Sequence, residues 1–122
     1  MSSDDGLVDW VQEALDGIGT ISARKMFGGL ALYHEGRIFA MIADDLIWLK
    51  ADSESDAVWD AADCPRFTFD FGEGKMAGSM NYRRAPDDVY DDADALRHWA
   101  GIAIAAAERA PLKKPKTKKP RT

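Results

Sequence analysis

The sequence predicts an α+β fold, a single antiparallel sheet with packed helices, in the order α-βββ-α-ββ-α. Three observations predict it. Apolar residues recur at helical spacing near both ends of the chain and once in the middle. Between these stretches the pattern alternates residue by residue, as half-buried strands do. The links between alternating runs are two or three residues of Asp, Glu and Gly, too short for the crossover that parallel pairing needs. At 122 residues the chain suits one domain, and four Trp, five Phe and three Tyr can fill its core.

The first helix is expected from about Asp4 to Asp16, with Leu7, Val11, Ala14 and Leu15 on one face. Ser3 or Asp4 would cap its start, and Gly17 and Gly19 end it. Gly28-Gly29 reads as a bend or bulge in extended chain. Leu30 to Tyr33 is the first strand, and His34-Glu35-Gly36 a tight connection. Arg37 to Ala43 alternates with apolar residues on both faces, which predicts a central strand. Asp44-Asp45 is a two-residue hairpin turn leading into Leu46 to Lys50.

Ser53 to Ala62 reads as a helix capped by Ser53, with Ala57, Val58, Ala61 and Ala62 as its apolar side and Cys64-Pro65 as its stop. Arg66 to Phe71 and Lys75 to Tyr82 form a strand pair around Gly72-Glu73-Gly74. The last helix runs from Asp91-Asp92 to about Ala110, with Leu96, Trp99, Ala100, Ala103 and Ala107 in its stripe.

Charge divides the chain. Six of its sixteen Lys and Arg fall within the last ten residues, which leaves ten cations against all twenty-one acids before them. Residues 1–110 are therefore expected as one acidic domain and residues 111–122 as a disordered basic Lys/Pro-rich tail. The polar, acidic start is unlike a signal peptide, and no apolar stretch approaches the roughly 20 residues that span a bilayer. A single cysteine, Cys64, excludes an internal disulfide. A cytoplasmic protein without membrane contact is the expectation.

Several local strings resemble the TfoX/Sxy family, in its stand-alone N-terminal domain. They are Arg24-Lys25-Met26-Phe27-Gly28-Gly29, then Leu32-Tyr33 with Gly36, then Phe39 to Asp45 leading to Leu49-Lys50. Met80, Tyr82, Arg83, Ala85-Pro86-Asp87-Asp88 and Trp99 follow. The likeness covers roughly residues 4 to 110. It implies a small α+β fold and a relation to bacterial regulators of competence for DNA uptake. Longer members carry a second, C-terminal domain. No established catalytic residues come with the likeness.

No catalytic, metal or cofactor set is expected. A phosphate loop feeds its glycines into a helix, whereas Gly28-Gly29 feed a strand. Asp52, Glu54 and Asp56 alternate as calcium ligands would, but no glycine lies among them. His34 and His98 have no partner in the spacing and are expected at the surface or an edge. Carboxylates at Asp60 and Asp63 would raise the Cys64 thiol and keep it inert.

Arg24, Lys25, Lys75, Arg83 and Arg84 are the domain cations expected near strand ends. Gathered on one face they would contact an anion or nucleic acid; Asp87, Asp88, Asp91 and Asp92 would otherwise pair with them. The tail offers Lys113, Lys114, Lys116, Lys118, Lys119 and Arg121 for weak, unspecific nucleic-acid contact, since it has no aromatic residue to stack on bases. The function expected is a non-enzymatic regulatory or interaction module, with a protein partner or self-association. The alternative is a small-molecule-binding domain or minor enzyme. Its pocket would lie between sheet and helices, among residues such as Met41, Trp48 and Tyr82.

Overall fold

The computed structural model describes residues 3–26, 29–70 and 77–110. Helix α1 (Ser3–Ala14) comes first. Strands β1 (Ile21–Met26), β2 (Gly29–His34), β3 (Arg37–Ala43) and β4 (Leu46–Lys50) follow it. Helix α2 (Asp56–Ala61), strands β5 (Arg66–Asp70) and β6 (Ala77–Arg84), a 3₁₀ turn (Asp87–Tyr90) and helix α3 (Ala93–Arg109) complete the order. The six strands make one antiparallel sheet, β1-β2-β3-β4-β6-β5. The α+β class and the single antiparallel sheet are as the sequence predicts.

The strand count differs. Four strands precede α2, not three, because the chain reverses between Met26 and Gly29, which stand opposite each other in the β1–β2 ladder. The expected bulge is therefore a hairpin, and its residues Phe27 and Gly28 lie outside the described ones. Gly29 serves a close approach: a Cβ there would run into the Ile42 carbonyl oxygen of β3. The bulge sits one strand further on. Leu32 pairs with Ala40 and Tyr33 with Ile38, so Phe39 is the extra residue and turns into the core beside Ala40 and Ile42.

Both predicted tight turns are present. Glu35 and Gly36 have φ of 50° and 84°, and Asp44 and Asp45 have 53° and 62°. These are the left-handed pairs that match strand twist, and Asp tolerates them better than most residues. The Gly72-Glu73-Gly74 hairpin lies outside the described residues.

The helices pack on one face of the sheet. Val11 of α1 and Leu15 just after it, Leu96, Ala100 and Ile104 of α3, and Trp59 of α2 meet the sheet residues Leu32, Ile42, Ile47 and Leu49. Trp59 and Trp99 lie with ring centroids 5.1 Å apart. Two arginines close helix ends where carbonyls lack intrahelical partners. Arg97 of α3 donates from Nε to the Ala14 carbonyl at 2.7 Å and from Nη2 to that of Asp16 at 3.1 Å. Arg37 donates from Nη1 to the Ala110 carbonyl at 3.0 Å. In both places a cation meets the negative end of a helix dipole.

Helix α2 departs most from expectation. It is six residues long, and Ala57, Val58, Ala61 and Ala62 are all exposed. Only Trp59 points inward. Burying it contributes about 1.5–3 kcal/mol, which anchors a helix too short to persist alone. Ser53 is not the cap. Asp52 and Ser55 exchange hydrogen bonds instead: the Asp52 amide donates to Ser55 Oγ and the Ser55 amide to Asp52 Oδ1, both at 3.0 Å. Strand β6 runs past Tyr82 to Arg84 before Ala85-Pro86 stops it, and the 3₁₀ turn fills the gap to α3. That turn is tied down by Trp10, whose Nε1 donates to the Val89 carbonyl at 2.8 Å. Asp92 caps α3, accepting from the amides of Asp94 and Ala95.

Candidate functional site

Alternation along β6 separates Arg83 from Arg84. Arg83 stands opposite Leu49 on the helix side and is 2% exposed. A buried guanidinium requires acceptors for its donors. Nη1 donates to Asp60 Oδ1 at 2.7 Å and to the Cys64 carbonyl at 2.9 Å. Nη2 donates to Asp56 Oδ1 at 3.0 Å and Nε to Asn81 Oδ1 at 3.1 Å. Asn81 in turn donates to Asp56 at 2.9 Å. The set pins α2 to the sheet and commits Arg83 to the fold.

Arg84 points to the other face, which carries no helix among the described elements. The ladder pairs Arg24 with Ala31, Ala31 with Met41, Met41 with Trp48 and Trp48 with Arg84. One rung thus crosses five strands with an arginine at each end. Four strand spacings make it roughly 19 Å long. The next positions on this face, all on one side of the rung, hold Tyr33 and Ile38 on β2 and β3 and Lys50 and Tyr82 on β4 and β6. Arg24 sits over the Tyr33 ring, 5.8 Å from its centroid, and the Lys50 ammonium lies 5.5 Å from that of Tyr82. Trp48 meets Phe67 of β5 edge to face at 5.0 Å.

The cations expected near strand ends are thus spread apart, Arg24 and Arg84 standing at opposite ends of the rung. Arg24 and Arg84 share the helix-free face, joined by Lys50, which sequence reading passed over. Lys25 is exposed at the sheet edge, opposite Leu30 on the helix side. Lys75 and the six tail cations lie outside the described residues. Asp87, Asp88, Asp91 and Asp92 form no ion pair among the described residues. The carboxylates that do pair come from α2 and the turn before it: Asp56 with Arg66 and Arg83, Asp60 with Arg83, and Asp52 and Glu54 with Arg109. The acidic stretch is thus more than a solvated helix face.

Arg109 holds Asp52 in a fork, from Nε to Oδ2 at 2.7 Å and from Nη2 to Oδ1 at 2.8 Å. This fork lowers the Asp52 carboxyl to about 2. Burial pushes the Tyr82 phenol up to about 12, with the neighbouring Tyr33 adding to it.

His34 is buried, contrary to the surface or edge placement expected. Its Nε2 donates to the Ile18 carbonyl at 3.2 Å, and it packs against Gly19, where φ is 153° and a Cβ would come 2.5 Å from the ring. His98 is exposed, its ring edge-on to Trp99. Burial raises the Cys64 thiol first; Asp63 adds to this and Arg83 opposes it. No group of three His, Cys, Asp or Glu among the described residues could hold a metal ion. No helix of the described chain is long and apolar enough to cross a membrane.

The family model described as the TfoX N-terminal domain matches residues 13–107. The DNA transformation protein TfoX1 of Aliivibrio fischeri is similar, at 32% identity over 50 residues, 41% of this chain and 24% of that protein. The match thus spans about a quarter of that curated relative's length.

Proposed function

Because the chain belongs to the TfoX N-terminal domain family, we propose that it is a non-enzymatic regulatory module linked to competence. On this reading it acts in the cytoplasm by contact with a protein partner or a second copy of itself. The observation that carries the reading is the Arg83 cluster. It is the buried charged constellation that most resembles chemical machinery, yet its donors are spent holding α2 to β6. Groups committed to packing are not poised for proton transfer.

Residues 1–110 form the module on this proposal, and residues 111–122 a basic arm. The arm's six cations neutralise at most about six phosphates, which corresponds to a log-log salt slope no steeper than about −5. Arg24, Lys25 and Arg84 are exposed and, with Lys50, are available to an anion. The relative's name, a DNA transformation protein, agrees with such a role.

Light scattering of the full chain over a wide concentration range, with a gel shift on duplex DNA at low salt, tests the proposal. Self-association or salt-sensitive DNA binding supports it. A strict monomer that binds neither DNA nor a candidate regulatory protein contradicts it.

A further inference from the structure

We propose that the helix-free sheet face is a binding platform for a single-stranded polynucleotide, with phosphates on Arg24, Lys50 and Arg84 and bases stacked on Tyr33 and Trp48. The inference rests on reading the domain as a binding module and names the ligand and the face.

Charge complementarity selects this occupant. The chain carries twenty-one acids to sixteen Lys and Arg, yet none of the helix-free rung positions described above holds Asp or Glu. Arg24, Lys50 and Arg84 enter no ion pair among the described residues. They stack over or stand beside aromatic rings, so their N–H groups remain available to phosphate oxygens. On the helix side Asp52, Asp56 and Asp60 are engaged with Arg109 and Arg83.

Aromatic placement selects single strands over duplex. Paired bases hide their ring faces, whereas unpaired bases stack on aromatic side chains. Tyr33 and Trp48 are half-buried, on β2 and β4, with Met41 of β3 between them. The Trp48 Nε1 is buried, so the indole would meet a base through its ring and not through its N–H. A rung of roughly 19 Å is long enough for more than one nucleotide to lie between its terminal arginines. Three cations give this face a salt slope of about −2. The basic arm, lacking aromatics, would favour duplex for its higher charge density.

The test uses the full chain and a 12-nucleotide oligo(dT), compared with a duplex of equal length at one salt concentration. Fluorescence anisotropy reads binding, and tryptophan fluorescence reads Trp48. The single strand is expected to bind at least tenfold tighter than the duplex and to change the tryptophan signal. Arg24→Gln with Arg84→Gln should flatten the salt slope by about 1.4. Tyr33→Ala should weaken single-strand binding about tenfold, and Tyr33→Phe should retain it. Variants that bind the single strand like the parent, or single-strand binding that leaves the tryptophan signal unchanged, overturn the inference. So does self-association that Arg24→Gln with Arg84→Gln abolishes while no single strand binds, because a second copy then occupies the face. That last outcome leaves the reading as a regulatory module intact.

Discussion

Arg83 Nη1 lies 2.7 Å from Asp60 Oδ1, and the two ends of this bond sit in different solvents: the arginine side chain is 2% exposed and the aspartate 67%. The asymmetry decides what each deletion costs. Removing the arginine leaves carboxylates that water can reach. Removing the carboxylates leaves a guanidinium that water cannot.

Asp56→Ala combined with Asp60→Ala is therefore expected to destabilise the fold by about 3–5 kcal/mol. Arg83→Leu should cost less, although it also breaks the pairs. Urea unfolding at constant m-value measures both. Equal losses would mean that the carboxylates depend on Arg83 as much as it depends on them.

Acid should dissolve the second ionic contact. The folded Asp52 carboxyl lies near 2 against an ordinary 3.8, so the folded state holds its proton more weakly than the unfolded chain. The stabilisation is complete above about pH 4 and is lost as pH falls through about 2. Asp52→Asn should remove that portion of the acid unfolding curve and leave the rest. Arg109→Gln should act likewise, since its fork is the main cause of the shift.

Alkali should act on Tyr82. Its phenol is raised from 10 to about 12, so the folded state keeps its proton longer. The contribution is whole below pH 10 and lost as pH rises through about 12. A two-unit shift corresponds to something on the order of 2–3 kcal/mol. Tyrosinate absorbance should show late titration, and Tyr82→Phe should remove the phenol near 12 while Tyr90, also raised by burial, remains.

Gly29→Ala is expected to destabilise by about 1–3 kcal/mol, because the new methyl group meets the backbone oxygen of Ile42 and backbone cannot step aside. Gly101→Ala, in α3 with nothing within 4 Å of the added carbon, should instead stabilise by up to about 1 kcal/mol. Thermal midpoints of the two variants should move in opposite directions.

Much of the fold was legible because it is written locally. The Asp44-Asp45 turn, the stop at Ala85-Pro86 and the Leu96–Ala107 stripe are each set by residues within a few positions of one another. Strand β1 escaped notice because Ile-Ser-Ala-Arg-Lys-Met is half polar, as befits an edge strand paired on one side only. Phe39 escaped because a bulge resets alternation without changing composition. Burial of Arg83 depends on carboxylates 23 and 27 residues away in sequence, a distance at which spacing carries no signal. Trp48-Leu49-Lys50 and Tyr82-Arg83-Arg84 did contain the helix-free face. Reading every second residue across both strands would have placed Trp48, Lys50, Tyr82 and Arg84 together.

The central claim is a division of labour between the two arginines of β6: Arg83 holds the domain together and Arg84 faces a ligand. Urea unfolding and oligo(dT) affinity measured together on Arg24→Gln with Arg84→Gln test it most directly. An unchanged unfolding midpoint with weakened single-strand binding and a shallower salt dependence is the predicted result. A shifted midpoint with unchanged binding would contradict it.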